Sequence, residues 1–248
     1  MSVAAAHLDD SLRGKGRRLR PYGLRLGLLI LAWAALTGIL IGVGHAVAHS
    51  STVNAFDRHV TSIVVTHRGP TLNAVMKGVT WLGSWIALVV AGSVMLVLTL
   101  RRTLPWLTLA FAVLAWGGEA GGVTLAKHLV QRHRPAQRVW LVTAHGWSWP
   151  SGHTATAVLV FAVLAMTFVY LIQSLLFRTT TRAVATLAVI AVGFSRVELG
   201  VHWTTDVIAS VVFVAAWFVA ILALFGDVMT QVREPRHASH TARSGPGG

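Results

Sequence analysis

The hydrophobic pattern of the chain consists of long apolar stretches separated by short polar segments. Uncharged residues run over 26–44, 78–100, 103–118, 154–177, 183–195 and 207–226. Most of these stretches lack the polar face that a helix of a soluble protein carries. Several reach the roughly 20 residues that a helix needs to cross about 30 Å of hydrocarbon. The pattern therefore favours a membrane protein with several spans over a soluble protein with buried core helices.

The predicted spans cover about 26–48, 79–100, 105–129, 151–177, 183–197 and 203–226. The fifth is short for a bilayer at about 1.5 Å per residue, so we expect its outer end at or slightly below the membrane surface. Between the first two spans, apolar residues keep helical spacing from Phe56 to Val64. This spacing predicts a short interfacial helix that ends at Arg68-Gly69-Pro70. The predicted fold class is all-α, a six-transmembrane-helix bundle with short outer interfacial helices.

The chain divides into three predicted parts. Residues 1–25 form a basic cytoplasmic arm, expected to be disordered and to touch anionic lipid. Residues 26–226 form a single six-span domain, and residues 227–248 form a cytoplasmic tail whose polar composition predicts disorder. Residues 1–48 also resemble a signal peptide with Ala46-Val47-Ala48 as a cleavage site. Their apolar run exceeds the usual length of about 7–15 residues, which favours a retained anchor.

The formal net charge of +13 is explained by topology and does not require a nucleic-acid partner. With six spans and both termini in the cytoplasm, the cations before the first span, at the two cytoplasmic loops and in the tail all lie inside. This distribution follows the positive-inside rule. We therefore predict a multi-pass protein of a bacterial plasma membrane, with membrane lipids as partners, no nucleic acid, and an oligomeric state left open.

Missing residue types and motifs narrow the chemistry. The sequence has no cysteine, which excludes disulfides and thiolate metal sites. It contains neither a Gly-rich phosphate loop followed by Lys-Ser/Thr nor a His-Glu-x-x-His string. Six tryptophans near the predicted outer interface are interpreted as an aromatic belt, namely Trp81, Trp85, Trp140, Trp147, Trp149 and Trp203.

Three short strings place cations and histidines beside helix ends in a chain where charge is scarce. They are Lys127-x6-Arg134-Pro135, Pro150-Ser151-Gly152-His153 and Ser195-Arg196-x5-His202-x3-Asp206. In the predicted topology the third span ends, the fourth begins, and the fifth and sixth meet on the outer side. All three strings are therefore expected on one face of the membrane.

The cations and one helix start can form a cage for a phosphate group. Lys127, Arg134 and Arg196 supply positive charge, and guanidinium groups can bind phosphate oxygens bidentately. Ser151 and Gly152 open the fourth helix, where unpaired N–H groups and the helix dipole favour an anion. Phosphoryl transfer needs such a cage because negative charge develops on the phosphate oxygens.

The two histidines of the strings can supply the covalent chemistry. His202 and Asp206 are four residues apart on a helix, so the carboxylate can hold Nδ1–H and leave the Nε2 lone pair free. This arrangement suits a nucleophile that becomes phosphohistidine. His153 can protonate the leaving oxygen and then deprotonate the attacking water. Taken singly, each string also fits a structural role, as a bundle hydrogen bond, a pair of interfacial cations or a helix cap.

In combination and spacing, the three strings resemble the signature of the type 2 phosphatidic acid phosphatase superfamily. The similarity covers about residues 120–226, and the six-span layout is similar to that of the integral-membrane lipid phosphatases of this family. The resemblance implies that the phosphate is bound by Lys127, Arg134, Ser151, Gly152 and Arg196. It also implies that His202 is the nucleophile, His153 the general acid and Asp206 the residue that orients His202. By the same resemblance, no metal ion and no cofactor take part.

The function expected from these observations is hydrolysis of a lipid phosphate or diphosphate on the outer membrane face, through a phosphohistidine intermediate. An undecaprenyl-type diphosphate is favoured because the site faces outward, and phosphatidic acid or phosphatidylglycerol phosphate is also possible. One alternative is a phosphotransferase that passes the phosphoryl group to another acceptor. Another is a non-catalytic lipid-phosphate carrier or transporter, although mere anion binding does not need an oriented nucleophile. The family's vanadate-binding haloperoxidases share the cage, but six spans argue against that function.

Four further polar residues lie outside the signature. Glu119 falls inside the third span among glycines, and we expect it to pair structurally with another group, such as a motif cation. His128, His133 and His145 lie in or beside the outer loop. They are expected to be interfacial, with a role at the leaving group as the alternative.

Overall fold

The fold is built from α-helices in the part of the chain that the structure describes. This structure, a computed structural model, describes residues 3–172 and 174–231, with side chains between residues 23 and 225. Its helices are α1 (Val3–His49), α2 (Ser51–Thr66), α3 (Pro70–Val79), α4 (Trp85–Leu100), α5 (Trp106–Val130), α6 (Gly152–Leu171), α7 (Leu175–Glu198) and α8 (Thr204–Gln231). Short 3₁₀ turns occur at Thr80–Gly83 and Gln137–Val139. The predicted all-α class is confirmed.

Five helical segments are long and apolar enough to cross a membrane. They are Gly23–His49, Trp106–Val130, Gly152–Leu171, Leu175–Glu198 and Thr204–Phe225. A bent pair, Pro70–Gly83 followed by Trp85–Leu100, turns by 47° and brings the number of candidate spans among the described residues to six. The predicted span 79–100 corresponds to this pair. Ser84 interrupts it because its Oγ accepts from Ile86 N at 3.2 Å, which starts a new helix there.

The fifth span begins earlier than predicted, because α7 starts at Leu175. Ser174 caps this helix, since its side chain accepts a hydrogen bond from Phe177 N at 3.5 Å. Arg178 and Arg182 therefore lie in the first turns of α7, not in a loop between spans. Arginine is tolerated near the end of a spanning helix because its long side chain can place the guanidinium group in water. With 24 residues, α7 is about 36 Å long. The prediction of a short fifth span was wrong.

The first and last helices extend beyond their predicted spans. The backbone of residues 3–25 is helical and continuous with the first span, whereas the sequence predicted a disordered arm. Residues 3–20 are rich in alanine, leucine and arginine, which favour helix. The cytoplasmic location of this arm stays a prediction. α8 runs to Gln231, and the rest of the predicted disordered tail lies outside the described residues.

The outer segment between α1 and α4 holds two helices where one was predicted. α2 starts after Ser50, whose Oγ accepts from Val53 N at 3.3 Å. α2 contains the helix predicted from Phe56 onward, and residues 68–70 separate α2 from α3, as expected. Pro70 then opens α3 at the first helical position, where its missing N–H costs little. The placement of these helices at the membrane interface stays a prediction.

Tryptophan side chains tie neighbouring parts of the core together. The core lies where α1, α5, α6 and α8 pack. Trp33 on α1 donates from Nε1 to the carbonyl of Gly118 on α5 at 2.7 Å. Trp149, at the end of the loop before α6, donates to Leu40 O at 3.1 Å and is only 1% exposed. Its predicted place in an interfacial aromatic belt was wrong, because its indole N–H finds a buried backbone partner.

Glu119 is buried inside α5, at 4% exposure. Within the described part of the chain, no hydrogen bond or ion pair joins its carboxyl group to another side chain. The predicted pairing with a motif cation is therefore not found. The motif cation on the same helix, Lys127, lies about 12 Å farther along the helix axis. It donates to backbone carbonyls instead.

Candidate active site

Four helix ends and one loop meet at one end of the bundle. Lys127 lies in the last turn of α5, Ser151 caps α6, Arg196 lies in the last turn of α7 and Asp206 in the first turn of α8. The loop 131–150 adds Arg134. The backbone N–H of Ser151 donates to Asp206 O at 3.3 Å, which joins the second and third strings directly. The structure thus brings the three sequence strings together.

His202 lies in the short link between α7 and α8 and is 2% exposed. Its Nδ1 is 3.3 Å from Asp206 Oδ2, and Trp203 N donates to the same oxygen at 3.0 Å. On the other side of the ring, Arg134 Nη1 is 2.9 Å from Nε2. Because a guanidinium group can only donate, Nε2 must accept this hydrogen bond, and the ring proton lies on Nδ1. The lone pair on Nε2 therefore faces the cations.

Burial holds the pKa of His202 well below its ordinary value of 6.5. The removal of the ring from water disfavours the charged form, and the charges of Arg134, Arg196 and Lys127 act in the same direction. These groups, together with His153, lie close enough to act on the ring electrostatically. The imidazole is consequently neutral at physiological pH, as a nucleophile must be.

Two of the cations also hold the site loop in place. Lys127 Nζ donates to Trp147 O at 2.9 Å and to Pro150 O at 2.7 Å, which leaves one of its three protons for a ligand. Arg134 donates to Val201 O at 2.6 Å and to the carbonyls of residues 145 and 146, both at 2.9 Å. The loop conformation and the position of both charges are therefore set by the same contacts.

Arg196 is 5% exposed and reaches back to the turn before α4. Its Nη1 donates to Thr80 Oγ1 at 2.6 Å, while its buried Nε has no hydrogen-bond partner among the described residues. An unpaired buried N–H is costly, and a phosphate oxygen would satisfy it. The same turn packs on the start of α6, because a Cβ on Gly83 would overlap His153 O. The half-buried His153 ring makes no hydrogen bond within the described ranges.

The start of α6 is fixed by buried hydroxyl groups. Ser151 Oγ lies 3.0 Å from Thr154 Oγ1, and Ser151 O accepts from Ser210 Oγ at 2.9 Å. The space around Gly152 is open, since a Cβ there would meet no atom within 4 Å. The first N–H groups of a helix have no partner within the helix. An anion can therefore approach the N-terminus of α6 beside the cations.

A buried ionic network that was not predicted from the sequence lies behind His202 and Asp206. Arg132, at 5% exposure, lies with Nη1 2.7 Å from Asp206 Oδ1 and with Nη2 2.7 Å from Asp57 Oδ2. Arg132 lies two residues before Arg134 but is not one of the residues named in the three strings singled out in the sequence. A signal was present: only four acidic residues fall within residues 26–226, and Asp57 is one of them.

A second missed residue, Arg68, joins three segments near the site. It donates from Nη1 to Val139 O at 2.8 Å and from Nη2 to Glu198 O. Gly200 closes the same corner with φ +73°, and a Cβ there would overlap Val139 O. The end of α7 therefore packs tightly against the loop that carries Arg134.

Three histidines in or beside the loop 131–150 lie at the surface, and their place at the membrane interface stays a prediction. His128, His133 and His145 are all exposed. The His133 ring packs edge-on against Trp147 at 5.3 Å between centroids. A role for any of them at the leaving group stays a prediction.

An apolar cleft with a volume of about 660 Å³ opens beside the site. It lies between α6, α7 and α8, and Val60 and Val64 of α2 also line it. Val197 and Val207, which line it too, are chain neighbours of Arg196 and Asp206, respectively. Its volume falls within the range of about 300–1,000 Å³ that is usual for ligand sites. The cleft is therefore large enough for a ligand and lies next to the chain segments that carry Arg196 and Asp206.

Fold and site together define a class of protein: a multi-pass membrane protein that handles a phosphate group next to hydrocarbon. The PAP2 superfamily matches residues 105–229 of the chain. Phosphatidylglycerophosphatase B of Bacillus subtilis (strain 168) is 32% identical over 197 residues, which are 76% of this chain and 86% of that protein. The chain belongs to the PAP2 superfamily and is a membrane lipid phosphatase, as the sequence resemblance implied.

Two solved structures share the fold. The first transmembrane PAP2 type phosphatidylglycerolphosphate phosphatase, from Bacillus subtilis, superposes with a TM-score of 0.60 at 26% identity, covering 88% of this chain and 99% of that chain. Aquifex aeolicus LpxE gives a TM-score of 0.54 at 23% identity and covers 66% of this chain and 93% of its own. The second similarity shows the fold alone.

Proposed function

We propose that this phosphatase removes phosphate from a lipid through a phosphohistidine at His202. One observation carries the proposal: the neutral ring of His202 is held by Asp206 on Nδ1 and presents Nε2 to the cations. A protein that only bound lipid phosphate would need the cations but not the oriented lone pair. For the same reason the carrier alternative is less well supported.

Substrate binding must first free the nucleophile. Arg134 Nη1 donates to Nε2, so the lone pair is engaged before a phosphate arrives. A phosphate oxygen competes for this donor because charge-assisted hydrogen bonds to phosphate are stronger than those to a neutral ring. We propose that the phosphate is held by Lys127, Arg134, Arg196, the backbone N–H of Gly152 and the hydroxyl group of Ser151, since the backbone N–H of Ser151 is already bonded to Asp206 O.

The first chemical step transfers the phosphoryl group to the enzyme. Nε2 of His202 attacks phosphorus, the bond from phosphorus to the lipid oxygen breaks, and His153 gives its proton to that oxygen. The negative charge of the bound phosphate favours the protonated form of His153 before the step. Asp206 stabilises the positive charge that develops on the His202 ring.

The second step returns the enzyme to its starting state. His153, now neutral, takes a proton from a water molecule that attacks the phosphohistidine. The P–N bond breaks, inorganic phosphate leaves, and the electron pair returns to Nε2. Lys127, Arg134 and Arg196 supply the positive charge in both steps, so we propose that turnover needs no metal ion.

For the substrate, we propose a lipid whose phosphate is terminal and whose hydrocarbon lies in the apolar cleft. The relatives named as phosphatidylglycerophosphatases favour phosphatidylglycerol phosphate. This shifts the preference away from the undecaprenyl-type diphosphate that the sequence alone favoured. That diphosphate stays a candidate together with phosphatidic acid, because each carries a terminal phosphate on hydrocarbon.

The experiment that tests the function measures phosphate release by the purified protein in detergent micelles. The panel contains phosphatidylglycerol phosphate, phosphatidic acid and undecaprenyl diphosphate, each with and without excess chelator. His202→Ala should abolish release from every substrate, whereas His59→Ala, which removes an exposed histidine on α2, should leave it unchanged. Release that depends strictly on a metal would overturn the mechanism, and a wild type inactive on all three lipids would favour the carrier.

The outer location of the site is part of the proposal and has its own test. It is supported by the distribution of cations under the positive-inside rule. Because the chain has no cysteine, a single cysteine can report on each loop. Thr143→Cys, in the site loop, should react with a membrane-impermeant maleimide in intact cells, and Thr103→Cys, between α4 and α5, should react only after lysis. The reverse pattern would place the site in the cytoplasm.

A further inference from the structure

We propose that Arg132 and Asp57 are positioning residues for the reaction. They hold the Asp206 carboxylate from behind, so that His202 keeps the orientation and the tautomer that attack requires. The proposal rests on the proposed phosphohistidine mechanism and adds two residues that lie outside its substrate contacts.

The two oxygens of Asp206 have different partners. Oδ2 accepts from Trp203 N at 3.0 Å and lies 3.3 Å from His202 Nδ1. Oδ1 lies 2.7 Å from Arg132 Nη1. Since a carboxylate is planar and rigid, a strong bond at one oxygen sets the direction of the other. Arg132 therefore fixes the plane in which Asp206 meets the imidazole.

Arg132 is in turn held by α2. Its Nη2 donates to Asp57 Oδ2 at 2.7 Å and to Asn54 Oδ1 at 2.9 Å. Asp57 Oδ1 also accepts from the backbone N–H of Thr205 at 3.1 Å, the residue directly before Asp206. Asp57 thus holds both the guanidinium group and the start of α8.

The charges of this network explain why both acids are needed. Asp57, Arg132 and Asp206 alternate in sign and are all buried. If Asp57 were neutral, the full charge of Arg132 would fall on Asp206 and weaken its attraction for the His202 ring. That attraction matters most when the ring becomes positive during attack. Asp57 therefore favours the transition state through Arg132, without touching the substrate.

The composition of the α2 contact suggests a role beyond stability. The fully buried residues of α2 are Asp57 and Thr61, both polar. A buried ion pair adds little net stability compared with apolar residues of similar size. An ionic contact at this place is better explained by the reaction that it supports.

The test compares kcat and KM of the full-length protein on whichever lipid in the substrate panel it hydrolyses fastest. Asp57→Asn keeps shape and removes charge. It should lower kcat by about 10- to 100-fold, as loss of a residue that orients a catalytic group does, and change KM less than about two-fold. Arg132→Gln should lower kcat at least as much as Asp57→Asn does. Arg132→Lys should have a kcat between those of Arg132→Gln and the wild type, because a lysine ammonium group cannot hold two carboxylates in one plane.

Two further measurements separate positioning from folding. The rate of phosphoenzyme formation in a single turnover, quenched in alkali and normalised to the folded fraction, should fall with kcat. Asp57→Asn should unfold at a lower temperature than Arg58→Gln, which removes an exposed charge on the same helix, because it leaves the charge of Arg132 less well compensated. Asp57→Asn combined with Arg132→Gln should be no slower than Arg132→Gln alone, because both act through Asp206. Thr205→Val, which removes one hydroxyl from the network, serves if either larger change prevents folding.

Three results would overturn the proposal. These are a kcat within about three-fold of wild type for Asp57→Asn and Thr205→Val, a loss explained entirely by unfolded protein, or a change in KM alone. Failure of the proposed function looks different, because His202→Ala would then stay active or the wild type would release no phosphate.

Discussion

The substitution Asp206→Asn tests the orientation of the nucleophile most directly. An asparagine has the same shape but offers one acceptor and one donor group in place of two acceptors. If the asparagine oxygen faces Arg132, the asparagine NH₂ group takes the place of Oδ2. This donor then faces the N–H group of Trp203 and Nδ1 of His202. The ring must then carry its proton on Nε2. Arg134 Nη1 lies 2.9 Å from that atom, so a second donor meets a donor there.

The structure allows the size of the effect to be stated. With the proton on Nε2, the attacking lone pair is lost, and in a catalytic triad the corresponding change lowers kcat by about 10⁴. We expect a fall of about 10³- to 10⁴-fold, or roughly 4–5.5 kcal/mol of transition-state stabilisation. The mismatched buried donor also lowers the free energy of unfolding by about 1–3 kcal/mol.

The assay must separate these two effects. Single-turnover formation of the phosphoenzyme, normalised to the folded fraction measured by thermal unfolding, isolates the chemical step. If Asp206→Asn kept more than about a tenth of wild-type kcat, His202 would not depend on this carboxylate, and the assignment of the nucleophile would be refuted.

Three other predictions follow from separate parts of the structure. Ile190→Trp, in the apolar cleft, should raise KM for a long-chain lipid phosphate about ten-fold (about 1.4 kcal/mol) but not for a dioctanoyl one, with Leu187→Trp on the same helix as control. Since the pKa of His202 is lowered by folding, the unfolded state binds the proton first as pH falls through about 6.5. In thermal unfolding, the stability advantage of wild type over His202→Asn should therefore shrink between pH 7.5 and 5.5. Gly200→Ala should lower the free energy of unfolding by about 1–3 kcal/mol, because its Cβ would overlap a backbone carbonyl. Gly146→Ala, also at positive φ but in open space, should lower it by only about 1 kcal/mol. Equal losses of unfolding free energy in urea titrations would contradict this prediction.

Prediction from the sequence worked best where the determining property is local. The length of apolar stretches indicated the all-α class and most spans, and α5 ends within one residue of its predicted boundary. Spacing within each string placed Lys127, His153 and His202 at helix ends. The start of α7 was misplaced because Arg178 and Arg182 were assigned to a loop between the fourth and fifth spans. Local capping by Ser174, and not charge, decides where that helix begins.

The chemistry-bearing strings were found from the sequence because each is short and lies at or between helix ends. Their meeting at one end of the bundle followed from counting spans. Counting the spans could not predict the hydrogen-bond partner of each cation. Lys127 and Arg134 donate hydrogen bonds to carbonyl groups of the loop in addition to supplying positive charge. These hydrogen bonds depend on the path of residues 131–150, which the sequence pattern does not predict.

The amino-acid sequence by itself determined the membrane setting and the helical class, and it singled out the residues proposed to bind the phosphate. Hydrophobic length and spacing within a helix do not depend on distant parts of the chain. Only the tertiary structure decided the partners of Arg132, the buried place of Trp149 and the cleft between α6, α7 and α8. Asp57 and Arg132 are 75 positions apart in the chain. Their contact depends on how α2 docks against α8, and the packing of a whole bundle determines that docking.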